Sequence, residues 1–430
     1  MSDGPSSVLQ DDRSERMTEA PTGTAGEHGA AASALGYQFQ VNWGLLELLR
    51  RGASRPDQSL TLELHDDVAW DHAGHPIERI QVKHHLNRQA SLTDASPDVW
   101  RTLKVWMDTA SPADPNGALL VLVTTATAAT GSAASILRPD QGRDESAALA
   151  LLVATAETSA NQATAPAREQ FLALSSADRE VFVSKVQVLD GQPGVTDLDA
   201  QLRQQLWLSL PSDEGHANTY LDLVWRWWAS VSLDLLTGVR ASVDVQEVRQ
   251  QLAGIRDMFQ ADNLPTLVEL EDVDEDATVD LHVDRPFVHQ MHWVRVKIDN
   301  LRTAIVDYHR AVTQTTNWLD RDLIGIAELE KFERNLTDEW RRAYGDMMED
   351  LPDDATDDAK AEMGRALLRK LRDSTAVTVR SRYTDSFFAR GKRHELADAG
   401  NIGWHPEFQT LLENLLTGSD TTASGGGSAA

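Results

Sequence analysis

The chain of 430 residues contains no cysteine. Disulfides, zinc ribbons, iron–sulfur clusters and thiol nucleophiles are thereby excluded. It has no run of about 18 consecutive apolar residues, so no transmembrane helix is expected. Its first residues do not join a basic segment to an apolar run, and no secretory signal is expected. Basic residues are scarce: 40 Lys and Arg face 67 Asp and Glu, a formal charge of -27. Sequence-independent polyanion binders neutralise phosphates with clustered Lys and Arg, and this balance argues against that class. Signatures of several enzyme classes are missing too. There is no G-x-x-x-x-G-K-S/T phosphate loop, no Rossmann glycine pattern and no G-x-S-x-G elbow. A cytoplasmic protein is the simplest expectation for a chain that is 41% hydrophobic and 25% charged.

Length gives a prior of two or three domains. Residues 1–28 are small and polar and read as a disordered tail, as does the stretch from 416 to 430. From Ala30 to Ala129 the pattern runs helix, hairpin, helix, strand. Tyr37, Val41, Leu45 and Leu48 form a helical stripe. Leu60, Leu62, Leu64, Val68 and Trp70 alternate, and a turn at His72–Pro76 leads to a second alternating strand at Ile77, Ile80 and Val82. Ser96 is a candidate N-cap and Pro97 the first helical residue, followed by a stripe at Val99, Leu103 and Trp106. The apolar run from Ala118 fits a strand covered on both faces.

The remainder reads as mainly helical, with helices over 143–180, 197–210, 217–238 and 244–260 and one short strand within 182–189. Leu329, Phe332, Leu336, Trp340, Tyr344 and Met347 recur at steps of three and four, an amphipathic helix. Two acidic stretches interrupt this half. Residues 262–284 hold nine acids and residues 345–359 seven, with no Lys or Arg in either. The expected organisation is a tail (1–28), an α/β domain (29–140), a helical middle region with an acidic linker (141–285), a helical C-terminal domain (286–415) and a second tail (416–430). Of 12 Trp, five (Trp207, Trp225, Trp227, Trp228 and Trp293) lie mid-chain, in a core or an interface.

The residues with chemical content cluster on the hairpin. Glu63, Asp66 and Asp67 sit on its first strand, and Gln81-Val82-Lys83 on its second. Period-two alternation puts Gln81 and Lys83 on one face and Val82 on the other. An acid on the neighbouring strand can then lie beside Lys83. A carboxylate holds Mg²⁺ or Mn²⁺ through oxygen, the cation polarises a phosphoryl oxygen and acidifies water, and a Lys stabilises the developing charge. Taken alone, such a pair is usually a solvated cross-strand ion pair worth at most about 1 kcal/mol.

These residues resemble the restriction-endonuclease-like, PD-(D/E)xK superfamily, and more closely the Mrr-like double-stranded-DNA endonuclease domains of bacterial anti-phage effectors. The resemblance spans Ala34 to Ala128 and rests on G-Y-Q-F-Q (36–40), E-L-H-D-D-V (63–68), I-Q-V-K-H (80–84), D-V-W-R-T-L-K-V-W (98–106) and L-V-L-V-T-T (120–125). It implies an α/β fold, a mixed sheet flanked by helices. It implies Asp67 as metal ligand, Gln81 as oxygen donor or water-orienting group, and Lys83 as catalytic lysine. Gln40 stands where many Mrr-like proteins carry Glu, and Glu63 matches a recurrent acid that could join the metal. Two amides replace the commoner acids, Gln81 above all, so a catalytically inactive nuclease-fold adaptor or DNA sensor stays open beside the magnesium-dependent deoxyribonuclease. Cutting both strands of a duplex would call for a homodimer.

Among other polar residues, His84 and His85 read as groove-lining or solvated at the strand end. His65, His72 and His75 lack ligand spacing. His289 and His292 share a helical face without a third ligand, and read as structural. Farther on, V-D-Y-H-R-A-V-T-Q-T-T-N-W-L (306–319), L-E-K-F-E-R-N-L-T-D-E-W (329–340) and G-K-R-H-E-L-A-D-A-G-N-I-G-W-H-P-E-F (391–408) resemble the C-terminal domain of ABC-three-component system proteins, over roughly 287–412. That resemblance implies partners, an SMC-like ABC ATPase and a small middle component of one operon, and a role in anti-phage defence. The ending reads as a packed loop with Gly400 and Gly403 at turns and Trp404 as anchor; His405 has no catalytic company.

Overall fold

The computed structural model describes residues 25–85 and 91–417, with side chains from residue 33. The expected tails at 1–24 and 418–430 lie outside the described residues. Residues 25–28 and 416–417, also expected in those tails, are helical. Contacts divide the chain into two compact units, one of residues up to Gln205 plus Val231–Val245, the other of Leu206–Ser230 plus the chain from Gln246. The expected boundary at residue 140 therefore falls inside the first unit. No helix among the described residues is long and apolar enough to cross a membrane.

The first unit is a mixed α/β layer. Helix α1 (Ala25–Arg51) leads to β1 (Ser59–Leu62), β2 (Val68–His72) and β3 (His75–Lys83). After β4 (Ser91–Leu92) and α2 (Pro97–Thr109) come β5 (Leu119–Thr124), β6 (Thr127–Ala128) and α3 (Ala133–Ile136). Helices α4 (Glu145–Thr158), α5 (Ala165–Ala173) and α6 (Ser176–Ser184), strand β7 (Val186–Leu189) and α7 (Leu198–Gln205) follow. Helix α8 (Glu214–Leu236) crosses the unit boundary, and β8 (Val243–Asp244) completes a six-stranded sheet of order β7-β5-β3-β2-β1-β8. Strands β1, β2 and β3 run antiparallel, while β5 pairs parallel with β3 and β7 parallel with β5.

Local sequence explains much of this. Ala73 and Gly74, both at positive φ, close the β2–β3 hairpin. The register of β2 with β3 then shifts between Trp70 and Asp71. Ile77 is therefore left exposed while Ile80 and Val82 turn inward. Strand β5 is buried along nearly its whole length, as expected of a strand covered on both faces. Ser96 and Pro97 open α2 as expected, though the Ser96 side chain makes no cap bond, and Val99, Leu103 and Trp106 are buried. In α1 Leu45 and Leu48 of the expected stripe are buried, together with Phe39, Trp43 and Leu46, while Val41 is half-buried and Tyr37 is exposed.

The second unit is helical. It holds α9 (Val245–Asp257), α10 (Glu275–His282), α11 (Pro286–Trp293) and α12 (Ile298–Asp320), then α13 (Ile326–Asp350), α14 (Asp357–Arg372), α15 (Ser386–Asp398) and α16 (Phe408–Thr417). The expected stripe on α13 is its core face, with Tyr344 half-buried at the margin. The stretch expected as an acidic linker is packed: Leu264 and Val268 are buried. The fully buried Gln314 amide on α12 accepts from the Leu267 and Val268 N–H groups and donates to the Pro265 carbonyl.

Candidate active site

The three acids expected on a strand come instead from a five-residue turn. Pairing of β1 with β2 ends at Leu62 and Val68. Glu63 then takes φ 56° and its N–H bonds the Asp67 carbonyl at 3.3 Å. Leu64, the next expected inward residue, is left 55% exposed. Sequence alternation ran straight across this reversal because a polar turn of E-L-H-D-D carries no glycine or proline to mark it.

The turn brings Asp66 and Asp67 against the end of β3. The Asp67 carboxylate accepts from Gln81 Nε2 at 2.8 Å through Oδ1 and from the Val82 N–H at 2.8 Å through Oδ2. Lys83 Nζ lies 3.8 Å from Asp67 Oδ2 and donates to Gln81 Oε1 at 2.8 Å. Gln81 and Lys83 thus share a face, as the alternation requires. The Gln81 amide also donates to Asp66 Oδ1, whose other oxygen accepts from Trp106 Nε1 of α2 at 2.7 Å. Gln40, buried on α1, donates to Glu63 Oε1 at 2.7 Å and to the Asp67 carbonyl at 3.0 Å. All five predicted residues therefore meet in one cluster. Trp106 was legible only as a core residue, and its indole N–H gave no sign of its partner.

Burial governs the electrostatics. Desolvation raises the Asp67 carboxyl to about 6; Lys83 and the Val82 N–H oppose the rise, and the charges of Asp66 and Glu63 add to it. Around the cluster, the His84 ring packs 4.9 Å from Phe39, and burial lowers its pKa. His85 Nε2 lies 2.8 Å from Asp98. His65 pairs with Asp71 at 3.4 Å, His72 approaches the Asp57 carbonyl, and His75 is exposed.

A hard divalent cation takes carboxylate and carbonyl oxygens. The Gln81 Nε2 group, the positive end of the amide dipole, lies between Asp66 and Asp67, where two carboxylates converge. Asp67, the Gln81 carbonyl and the exposed Glu63 carboxylate offer oxygens of the kind such a cation takes. No group of three or more His, Cys, Asp or Glu among the described residues could hold a metal ion. The same holds at His289 and His292 on α11. His405 is buried, and its Nδ1 accepts from the Glu407 N–H.

Residues 287–412 match the family model of C-terminal domain 7 of the ABC-three component (ABC-3C) systems, less than a third of the chain. No curated protein and no solved structure shows a significant match.

Proposed function

We propose that the first unit is a Mg²⁺- or Mn²⁺-dependent endonuclease acting on double-stranded DNA, the effector of an ABC-three-component anti-phage system. The observation that carries it is the Asp67–Gln81–Lys83 cluster, built where the β1–β2 turn meets the end of β3. The order α1, β1 to β4, α2, β5 keeps the helix–hairpin–helix–strand pattern of the resemblance, with the expected first hairpin strand split into β1 and β2 and the short β4 added. The C-terminal match supports the assembly.

A bound cation would supply Lewis acidity and a more acidic water. Asp67, ionised above pH about 6, would hold it together with the Gln81 carbonyl, and Glu63 would add charge from the solvent side. Gln40 fixes the Glu63 carboxylate and the turn backbone. Lys83 Nζ, aimed by Gln81 Oε1, would donate to a non-bridging phosphate oxygen as negative charge builds on it. Cleavage of both strands would use two copies.

Purified protein with Mg²⁺ or Mn²⁺, with its operon partners present, should nick or cut plasmid DNA. Lys83→Ala should reduce this at least 100-fold, the scale of removing one charge-stabilising group. Equal behaviour of wild type and Lys83→Ala under all these conditions would sink the proposal. One observation favours a second reading, a non-cutting adaptor or DNA sensor: the Gln81 amide already satisfies both carboxylates without any cation. DNA binding without cleavage, with metal and the ATPase partner present, would support that reading.

A further inference from the structure

The second unit contains a cavity of about 710 Å³ bounded by the α11–α12 connection, the first turns of α12, the α14 helix and the inner side of α15. In a chain with 27 more acids than bases, its lining reverses the balance. Six cationic side chains reach it: Arg295, Lys297, Arg365, Arg369, Arg372 and Arg390. Only Asp307, Glu362 and Asp373 oppose them.

Four of the cations are held by acids. Asp307 grips Arg390 with bonds of 2.6 and 3.1 Å, Asp373 holds Arg372 at 2.8 Å, Glu362 takes Arg365, and Asp358 takes Arg295. Lys297 has no ion-pair partner among the described residues, and Arg369 lies 3.8 Å from a Glu362 already engaged by Arg365. Part of this pattern has a local cause, since cations in the last turn of α14 offset its helix dipole. That cause does not reach Lys297, which stands at the N-cap of the 23-residue α12 without a side-chain cap. The positive end of that helix, partly offset by Asp299 in its first turn, lies beside Lys297 and Asn300.

The inner wall is uncharged. His394 on α15 is 5% exposed and lines the cavity, and its Nδ1 is buried without a hydrogen bond. Burial, with Arg393 and Arg390 nearby, pushes its pKa down to about 3, so the ring is a neutral hydrogen-bonding group. That nitrogen is closed off from the cavity, and the ring packs against Phe287 and Trp404, so His394 offers the cavity an uncharged wall. Met291, Val296, Ala304 and Leu368 make the rest of that wall apolar.

We infer that this cavity binds a phosphate-bearing small molecule of nucleotide size, its phosphates on Lys297, Arg369 and the α12 N-terminus and its uncharged part against His394 and the apolar wall. The volume falls within the range of small-molecule sites, roughly 300–1,000 Å³. The chain has no phosphate-loop motif, which speaks against hydrolysis here and leaves binding untouched. The inference does not rest on the nuclease reading.

Calorimetric titration of the full chain with ATP, AMP and inorganic pyrophosphate tests it. ATP should bind with a Kd of about 100 µM or tighter at low salt, and pyrophosphate, which leaves the apolar wall uncovered, at least about tenfold more weakly. The double variant Lys297→Gln/Arg369→Gln should weaken ATP at least tenfold, whereas Lys297→Arg/Arg369→Lys should retain most of the affinity. Lys331→Gln, an exposed change on α13 outside the cavity, should have no effect. These surface changes leave the core intact, and a circular-dichroism melt checks that. No ATP binding, equal binding of pyrophosphate, or equal loss with Lys331→Gln would overturn the inference. So would a short DNA duplex that binds through Lys297 and Arg369 while ATP does not.

Discussion

Asp67 carries its charge against its surroundings. In the unfolded chain its carboxyl titrates near the ordinary value of 3.8; folding raises it to about 6, mainly by burial. The folded protein therefore takes up a proton between these values, and stability falls as pH rises through that window. A shift of about two units corresponds to at most about 3 kcal/mol, fully present as a penalty above pH 6 and absent below pH 4. Asp67→Asn keeps an acceptor for the Val82 N–H and removes the charge, but turns its NH2 against the Gln81 Nε2 donor, a cost that does not vary with pH. In urea melts its stability relative to wild type should therefore rise by up to about 3 kcal/mol from pH 4 to pH 7.5. A difference that stays constant with pH would show that Asp67 is not the source. Such stored cost is usual where function needs a charge in a poor place. A divalent cation would remove it, so Mg²⁺ should stabilise wild type more at pH 7.5 than at pH 5.

Helices α12 and α15 cross where Gly391 has no side chain. A Cβ at that position would come within 2.1 Å of the Asp307 carbonyl oxygen and 2.5 Å of the Ala311 methyl. Backbone cannot give way as a flexible side chain does, so Gly391→Ala should cost about 1–3 kcal/mol or more. Because Asp307 also holds Arg390, the same change should loosen the cavity wall and weaken ATP binding. A thermal melt paired with the titration separates the two effects: unchanged stability would contradict the close-packing account. Gly403 and Gly364 act similarly, against the Phe408 ring and the Trp404 carbonyl. Just before the run I-G-W-H-P-E-F (402–408), Gly400 does serve a turn, with φ 73°. Gly403, expected to serve one as well, is instead required by packing. Trp404 is the expected anchor, 1% exposed. The Gly403 and Pro406 carbonyls on either side of it accept from Trp340 and Tyr344 of α13.

At the scale of the whole molecule the charge is unevenly placed. Residues 29–130 hold eleven acids and eight bases, a formal -3 of the total -27. The candidate active site therefore sits in a nearly balanced stretch, while the rest of the chain carries the net acidity, the cationic cavity of the second unit apart. Alone, the protein should bind a 30-base-pair duplex no better than the non-specific range of about 10⁻⁴–10⁻⁶ M at physiological salt. The operon partners should tighten this. Fluorescence anisotropy over a salt series checks it. Submicromolar binding by the isolated chain, with a steep salt slope, would refute delivery by a partner.

Composition and periodicity by themselves determined the absence of thiol chemistry, the α/β-then-helical order, the buried strand β5 and the core stripe of α13. Each depends on interactions between near neighbours, which repeat with a fixed period along the chain. The strand period made the shared face of Gln81 and Lys83 legible, whereas Gln40, Glu63 and Asp67 joined them only through the resemblance to Mrr-like domains. Tertiary structure alone decided that the acids lie on a turn, that Trp106 holds Asp66, and that Gln314 docks the acidic stretch. It alone gathered six cations around one cavity. Those outcomes depend on residues tens of positions apart, whose pairing is set by packing and by the satisfaction of buried polar groups, and neither has a period to read.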